Sequence, residues 1–394
     1  MRGTPASRGQ SFIARDHRYV YLGGSVIALV GLSLWYSVPS PYSFLPAGSV
    51  PGTALAAVCY FFLAVSTLAL LVKWTHWNSY GETILKHPFI VRLSRYLSYL
   101  DAAAAALLAL DRFVLKLAYV VHAAVHAESN PTGTLSSMVY MAYNQRSLFV
   151  TGVWTTVQLA LAGTAIAFVL ALLMVFLRIQ EPDKRNNDFV KIIKIVANKF
   201  ARFYIFVIRG TPMMVQSLIF YYAIFNLFKR TGMSVTEINR VWSLFISGLV
   251  TVSLNSTAYL AEVLRGGILA VDAGQMEAAR SLGMTHWQAM RRVVFPQAIK
   301  NSLPAIGNEF IINIKDSSVL CVLGVSDLMF MTRSVAGIYY KGTECYLIAA
   351  TVYLFLTYLS SLLLKAITGR MTAPDNTKRR QGNQTVDLGL PSSN

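Results

Sequence analysis

Residues Ser147–Leu177 read SLFVTGVWTTVQLALAGTAIAFVLALLMVFL and contain no charge. About 20 apolar residues carry a helix across a bilayer core, so this run reaches across with residues to spare. Hydrocarbon offers no water to satisfy peptide groups, so a spanning run must bond its own backbone, which makes it a helix. The rest of the chain agrees. Of its 394 residues 55% are hydrophobic and only 13% charged, where a soluble domain carries about 25% charged residues. Mean hydropathy is +0.49. The chain reads as an all-α polytopic membrane protein.

Working outward, charge orders the remaining spans through the bias of Lys and Arg to the cytoplasmic side. Tyr19–Val38 and Thr53–Val72 are the first two candidates. Their linker is uncharged, whereas Arg2, Arg8, Arg15 and Arg18 precede the pair and Lys73, Lys86, Arg92 and Arg95 follow it. The N-terminus and Lys73–Arg95 are therefore assigned to the cytoplasm. After Leu177 comes RIQEPDKRNNDFVKIIKIVANKFAR, with seven basic and three acidic residues over Arg178–Arg202, read as a cytoplasmic loop. Thr211–Phe228 then runs outward and Val241–Leu264 inward, with Glu262 its only charge. Ile299–Val325 and Tyr346–Leu364 complete the set, and Lys378, Arg379 and Arg380 place the tail inside. The external loop Lys229–Arg240 is mildly basic and breaks the rule.

Leu100–Ala127 is ambiguous. Asp101, Asp111, Arg112, Lys116, His122 and His126 fall on one helical arc of about 140°, with Ala, Leu and Val around it. Such a stripe either faces the interior of a bundle or lies flat in the interface. Parity favours a span, which gives about eight transmembrane helices with both termini cytoplasmic in the cell membrane. The opening MRGTPASRGQSFIARDHR resembles a secretory leader, but SVPSPYSFLP offers no small-x-small cleavage site, so an uncleaved first span is expected. The polar tail QGNQTVDLGLPSSN is expected to be disordered. No long internal repeat is present.

Several function classes are excluded or lowered. The formal charge of +17 sits beside the spans, where it sets topology rather than binding nucleic acid. Cys59, Cys321 and Cys345 lie in or beside apolar runs without ligand spacing, so neither a disulfide framework nor a metal site is implied. HExxH and GxSxG are absent, which lowers an intramembrane enzyme. No G-x4-GK[ST] occurs, so this chain cannot cradle ATP phosphates itself.

One stretch is out of character: Asp272–Gln297, DAGQMEAARSLGMTHWQAMRRVVFPQ, is polar, basic and helix-prone. Asp272 with Gln275 has capping-box spacing, and so does Thr285 with Gln288. Glu277 and Arg280 can pair at i, i+3. Gly283 supplies the left-handed residue that ends a helix, and Pro296 is expected to end the second one. This predicts helix, sharp turn, helix, outside the bilayer. A linker needs no paired caps, so the surface is expected to dock a partner.

These residues carry a resemblance. Glu277-Ala278-Ala279, three residues, Gly283, nine residues, then Val293-Val294-Phe295-Pro296 resembles the EAA loop of ABC-importer permeases, EAA-x3-G-x9-I-x-L-P, with valine and phenylalanine at two hydrophobic positions. Arg209-Gly210-Thr211-Pro212 with Gln216 resembles the RGTP-x3-Q segment of polar amino-acid permeases. Asn255-Ser256-Thr257-Ala258-Tyr259-Leu260-Ala261-Glu262 with Arg265-Gly266-Gly267-Ile268 resembles their NS-x-AY-x-AE-x2-RGGI stretch. Gly307-Asn308-Glu309-Phe310 and Lys315-Asp316-Ser317-Ser318 resemble GN-[QE]-F and KD-[ST]-S. The resemblance covers about Leu148–Thr368, and the first 130 or so residues depart from it.

The resemblance implies that the last five helices form a type I ABC importer permease core over residues 147–368, with the EAA loop at 272–297. Residues 1–130 would be an N-terminal extension of about three membrane helices, and 369–394 a polar tail. It implies a transport subunit rather than an enzyme, with ATP and Mg on a separate cytoplasmic ATPase. A second permease copy or a sister subunit, an extracellular or periplasmic binding protein and a polar amino acid complete the system. Glu277, Ala278, Ala279, Gly283 and Pro296 would couple to the ATPase. Arg209, Gln216, Asn255, Glu262 and Glu309 are the substrate-pathway candidates, because an amino acid's ammonium and carboxylate need opposite partners inside. Plainer roles stand beside these: Arg209 as an interfacial anchor, Glu262 as a cap, Lys315 and Asp316 as local neutralisers. The alternatives are an importer of another small solute and an ion-coupled secondary transporter.

Overall fold

The computed structural model describes residues 18–75, 84–180 and 187–371, and no strand occurs among them. The chain divides into two compact units, Met1–Tyr140 and Met141–Asn394, with the boundary inside a short helix, Thr134–Asn144. The opening residues 1–17 and the tail after 371, expected to be disordered, lie outside the described residues.

In the first unit, α1 (Arg18–Trp35) and α2 (Val50–Thr75) pack with α3 (Pro88–Ala109). Their core joins Ala28, Leu32, Cys59, Phe62, Ala104 and Leu108. A single π turn, Leu110–Val114, carries α3 into α4 (Leu115–Val125). The polar stripe faces inward along its first half: Asp101, Asp111 and Arg112 are buried, whereas Lys116, His122 and His126 are exposed. Asp111 accepts from the backbone amides of Phe44 and Leu45 and from the Ser43 hydroxyl. Arg112 donates to the Leu45 carbonyl at 2.8 Å and lies 5.0 Å from the Trp35 ring centre. The buried half of the stripe thus holds the α1–α2 linker.

α5 (Thr134–Asn144), which contains the boundary, leads into α6 (Arg146–Ile179) of the second unit, a single helix holding the uncharged run. Next come α7 (Asp188–Gly210), α8 (Met213–Arg230), the short α9 (Val235–Val241) and α10 (Leu244–Leu269). α11 (Ala273–Ser281) and α12 (His286–Ala289) lead through a π turn, Met290–Val294, into α13 (Phe295–Asp316). α14 (Leu328–Tyr339) and α15 (Gly342–Met371) close the unit. Small residues let the helices approach closely, as van der Waals packing in a bilayer requires: Ala160, Ala167 and Ala171 of α6 are buried beside α10. A Cβ on Gly267 of α10 would lie 2.0 Å from the Ser302 hydroxyl of α13.

One expectation is corrected and another is not confirmed. Among the described residues four helices are long and apolar enough to cross a membrane (α2, α6, α10 and α15), or five if α7 and α8 form one bent span, so the count of eight is not confirmed. The apolar part of α1, Val20–Trp35, is short, and α3 and α13 carry charges along their length. Arg178–Arg202 is not a loop: beyond 181–186, which lie outside the described residues, it belongs to α7. That helix is strongly amphipathic, with exposed Ile192, Val196, Phe200 and Phe203 on its apolar side. Arg92 and Arg95 sit on α3.

Candidate functional site

Asp272 caps α11, but by accepting from the Gly274 amide at 2.8 Å, so the box expected with Gln275 does not form. The carboxylate is turned onto the second helical amide rather than the third. Nor do Glu277 and Arg280 form an ion pair: both are exposed, where water competes with a contact of little net value. The helix then ends in a full Schellman motif. The Gly283 amide donates to Arg280 O at 3.0 Å and the Met284 amide to Ala279 O at 3.3 Å. Gly283 has φ +83°, and nothing lies within 4 Å of where a Cβ would stand. Thr285 opens α12 with the complete capping box: its hydroxyl accepts from the Gln288 amide and its own amide donates to Gln288 Oε1 at 2.9 Å.

Pro296 does not end the second helix. It occupies the first turn of α13, where no donor is needed, and the π turn before it widens the spiral so that the chain runs on. Glu277 and Ala278 are exposed, Pro296 is exposed, and Ala279 is 4% exposed and turned inward. Two apolar side chains stand out of this polar surface: Leu282, 82% exposed, and Trp287, 57% exposed with its ring 5.8 Å from that of Phe176. Sequence reasoning passed over both. The signal was present, a leucine set directly before the turn glycine in an otherwise polar stretch.

The pathway candidates divide into three groups. At the break between α7 and α8, whose axes differ by 113°, the buried Gln216 amide donates to Ile208 O, Thr211 O and the Thr211 hydroxyl at 2.7–2.9 Å. Its carbonyl accepts from Asn255 of α10 at 3.0 Å. Arg209 lies over the Tyr259 ring, 5.1 Å from its centre, one turn along α10 from Asn255. These residues therefore line one stretch of α10. Glu262 lies further along that helix and is held by two arginines, Arg178 of α6 and Arg265, so its charge is spent on joining helices. Glu309 is 8% exposed and forms no ion pair among the described residues.

The structure adds a seam that the motifs did not single out. Asn313 of α13 donates to Thr164 of α6 at 2.8 Å and accepts from Ser256 of α10 at 2.9 Å. One amide thus ties three helices in the interior, one turn from Glu309.

The family model described as binding-protein-dependent transport system inner membrane component matches residues 193–373. The chain is 34% identical over 176 residues to the glutamine transport system permease protein GlnP of Escherichia coli (strain K12), covering 45% of this chain and 76% of that one. The chain belongs to the binding-protein-dependent transport permeases. It is also 31% identical over 214 residues to the nopaline transport system permease protein NocM of Agrobacterium fabrum, 53% of this chain and 82% of that one. With the probable amino-acid permease protein YxeN of Bacillus subtilis it shares 37% over 182 residues, 46% and 78% of the two chains. A solved structure described as an amino acid ABC transporter with histidines is 38% identical, covering 61% of this chain and 99% of that one at a TM-score of 0.49. The permease resemblance read from the EAA and RGTP segments is borne out, as is a multi-pass membrane protein. Its first unit lies outside the matched family segment.

Proposed function

We propose that this permease is the membrane subunit of an ATP-driven importer that carries a polar amino acid into the cell. The observation that carries the reading is the turn at Gly283. Its two flanking caps and its Schellman bonds lie within the stretch itself, and it presents Glu277, Ala278 and the protruding Leu282 to a partner. That partner is a cytoplasmic ATPase holding ATP and Mg, whose groove takes the Leu282 knob and whose closure moves α13. The π turn joins α12 to α13 without a break, so a push on the loop reaches the helix carrying Glu309 and Asn313. Ala279 serves this unit from inside, by letting α11 pack closely, and Pro296 begins the moving helix. Both termini and the coupling loop lie on the cytoplasmic side, a binding protein delivers the cargo from outside, and a second permease copy or sister subunit completes the path.

For the cargo, Arg209 and Glu309 supply the opposite charges that a carboxylate and an ammonium need. Gln216 and Asn255 hold the bend beside them. The glutamine and amino-acid permeases among its relatives support this class, and the nopaline relative keeps another small solute as the second reading.

The test is co-purification from native membranes. Wild type is expected to bring a P-loop ATPase with it, and Leu282→Asp to lose it while the permease itself stays folded. Wild type arriving without an ATPase, together with amino-acid uptake that collapses under an uncoupler at constant ATP, would establish an ion-coupled transporter instead.

A further inference from the structure

A cavity of about 820 Å³ opens beside the ends of α6 and α10, along the first half of α7 and at Met290. Five cations line it: Arg178, Lys194, Lys199, Arg202 and Arg265. Arg178 and Arg265 share one carboxylate, Glu262. Lys199 and Arg202 form no ion pair among the described residues, and both are exposed on α7. Charges that only set topology project from a surface into water. These converge on a concavity whose remaining walls are mostly apolar, Ile179, Ile195, Ile268, Leu269 and Met290, with Gln180 and Asn198 between them. A site with a cationic rim and a greasy wall fits a ligand with an anionic head and an apolar body.

α7 extends the same design outward. Beside Lys199 the helix exposes Ile192, Val196, Phe200 and Phe203, an apolar strip of the kind that lies along acyl chains at an interface. The Asn198 amide donates to the Arg178 carbonyl at 2.7 Å, which closes the end of α6 onto α7 and fixes the cavity's depth. The cytoplasmic leaflet supplies the anionic lipids that such basic pockets hold.

We infer that this cavity seats the headgroup of an anionic phospholipid, with its phosphate between Lys199 and Arg202 and its chains along the apolar side of α7. A free phosphate shares the head chemistry but leaves the apolar wall and the α7 strip unused. Bound there, the lipid pins α7 against α10 beside Met290, the first residue of the π turn, and so sets the resistance against which the coupling loop moves. The inference rests on the cytoplasmic placement of this end of the permease, but on neither the ATPase nor the cargo. The binding test therefore uses the purified full-length chain alone, and its failure leaves the importer reading untouched.

Native mass spectrometry of the detergent-purified chain, titrated with phosphatidylglycerol, phosphatidylcholine or soluble glycerol phosphate, decides it. Wild type is expected to retain phosphatidylglycerol well above phosphatidylcholine and to ignore glycerol phosphate at equal concentration. Each basic side chain is worth about fivefold, so K199Q/R202Q should weaken phosphatidylglycerol by about twenty-five-fold. K199R/R202K should keep it, and K229Q/R230Q, at the far end of α8, should leave it unchanged. If the double variant does not fold, Lys199→Gln and Arg202→Gln singly, each expected to lose about fivefold, carry the same test. Equal binding of the two lipids, or unaltered binding in the charge-removing variants, overturns the inference. Competition by glycerol phosphate as strong as by the lipid also overturns it, and leaves a free-anion site.

Discussion

Two sharp turns in the permease unit are built by opposite means. The turn at Gly283 is self-contained: a positive φ, two backbone bonds and two caps, all within a few residues, with nothing packed over the glycine. The bend between α7 and α8 borrows its stability. Thr211 and Pro212 are extended, and one glutamine side chain satisfies the carbonyls they leave open, itself held by Asn255 from another helix. A surface handed to a partner has to keep its shape alone. An interior bend can lean on a neighbour, and it is then coupled to whatever moves that neighbour.

That contrast can be broken by mutation, and the largest effect is expected at Gln216. Replacing it with leucine removes three donated bonds and strands two main-chain carbonyls, that of the buried Ile208 and that of Thr211, each worth about 1–3 kcal/mol where water cannot reach it. Thermal unfolding in detergent should show a loss of about 3 kcal/mol or more, and Asn255→Ala a smaller loss of the same sign. Should Gln216→Leu cost no more than a change at Gly283, the bend is as autonomous as the loop and the distinction fails.

The second test sets one glycine against another. Gly267→Ala pushes a methyl group into Ser302 and the Ala298 carbonyl, 2.0 and 2.8 Å from the new atom, and overpacking of this kind costs about 1–3 kcal/mol. Gly283→Ala meets no atom and is charged only for its φ, about 1 kcal/mol. Unfolding should rank Gly267→Ala as the more damaging. ATPase stimulation should reverse the order, because Gly283 sets the angle of the docking surface.

Thr285→Ala removes the complete box and should cost about 1 kcal/mol of loop stability, read as faster amide exchange over His286–Ala289. The smallest effect is expected at Arg280: its pairing with Glu277 is not made, so Arg280→Ala should stay within about 0.5 kcal/mol. A larger loss would show that the exposed ion pair forms in solution.

Legibility followed the reach of the forces involved. The uncharged run of α6, the turn at Gly283 and the Thr285 cap were readable because hydrophobic length, left-handed backbone and capping act over a few residues. Where the reading failed, one feature had two possible partners. Asp272 was matched with Gln275 by spacing, yet it folds onto a nearer amide. Pro296 has the chemistry of a stop, yet a π turn absorbs it. The basic count over Arg178–Arg202 hid a 23-residue helix, because a charge tally ignores that the charges fall on one side. The pathway residues were named from motifs, but their partners were not: nothing local tells that Glu262 meets Arg178, 84 residues away, or that Asn313 joins three helices.

By itself, then, the sequence determined that the chain is a helical membrane permease with a self-standing loop at Asp272–Gln297, because solvent transfer and backbone geometry are decided residue by residue. Tertiary structure alone decided which polar side chains meet: Gln216 with Asn255, Glu262 with its two arginines, Asn313 with Thr164 and Ser256, and the basic cavity along α7. Inside a bilayer a polar group must find a partner on another helix, and only the packing of the helices says which one it finds.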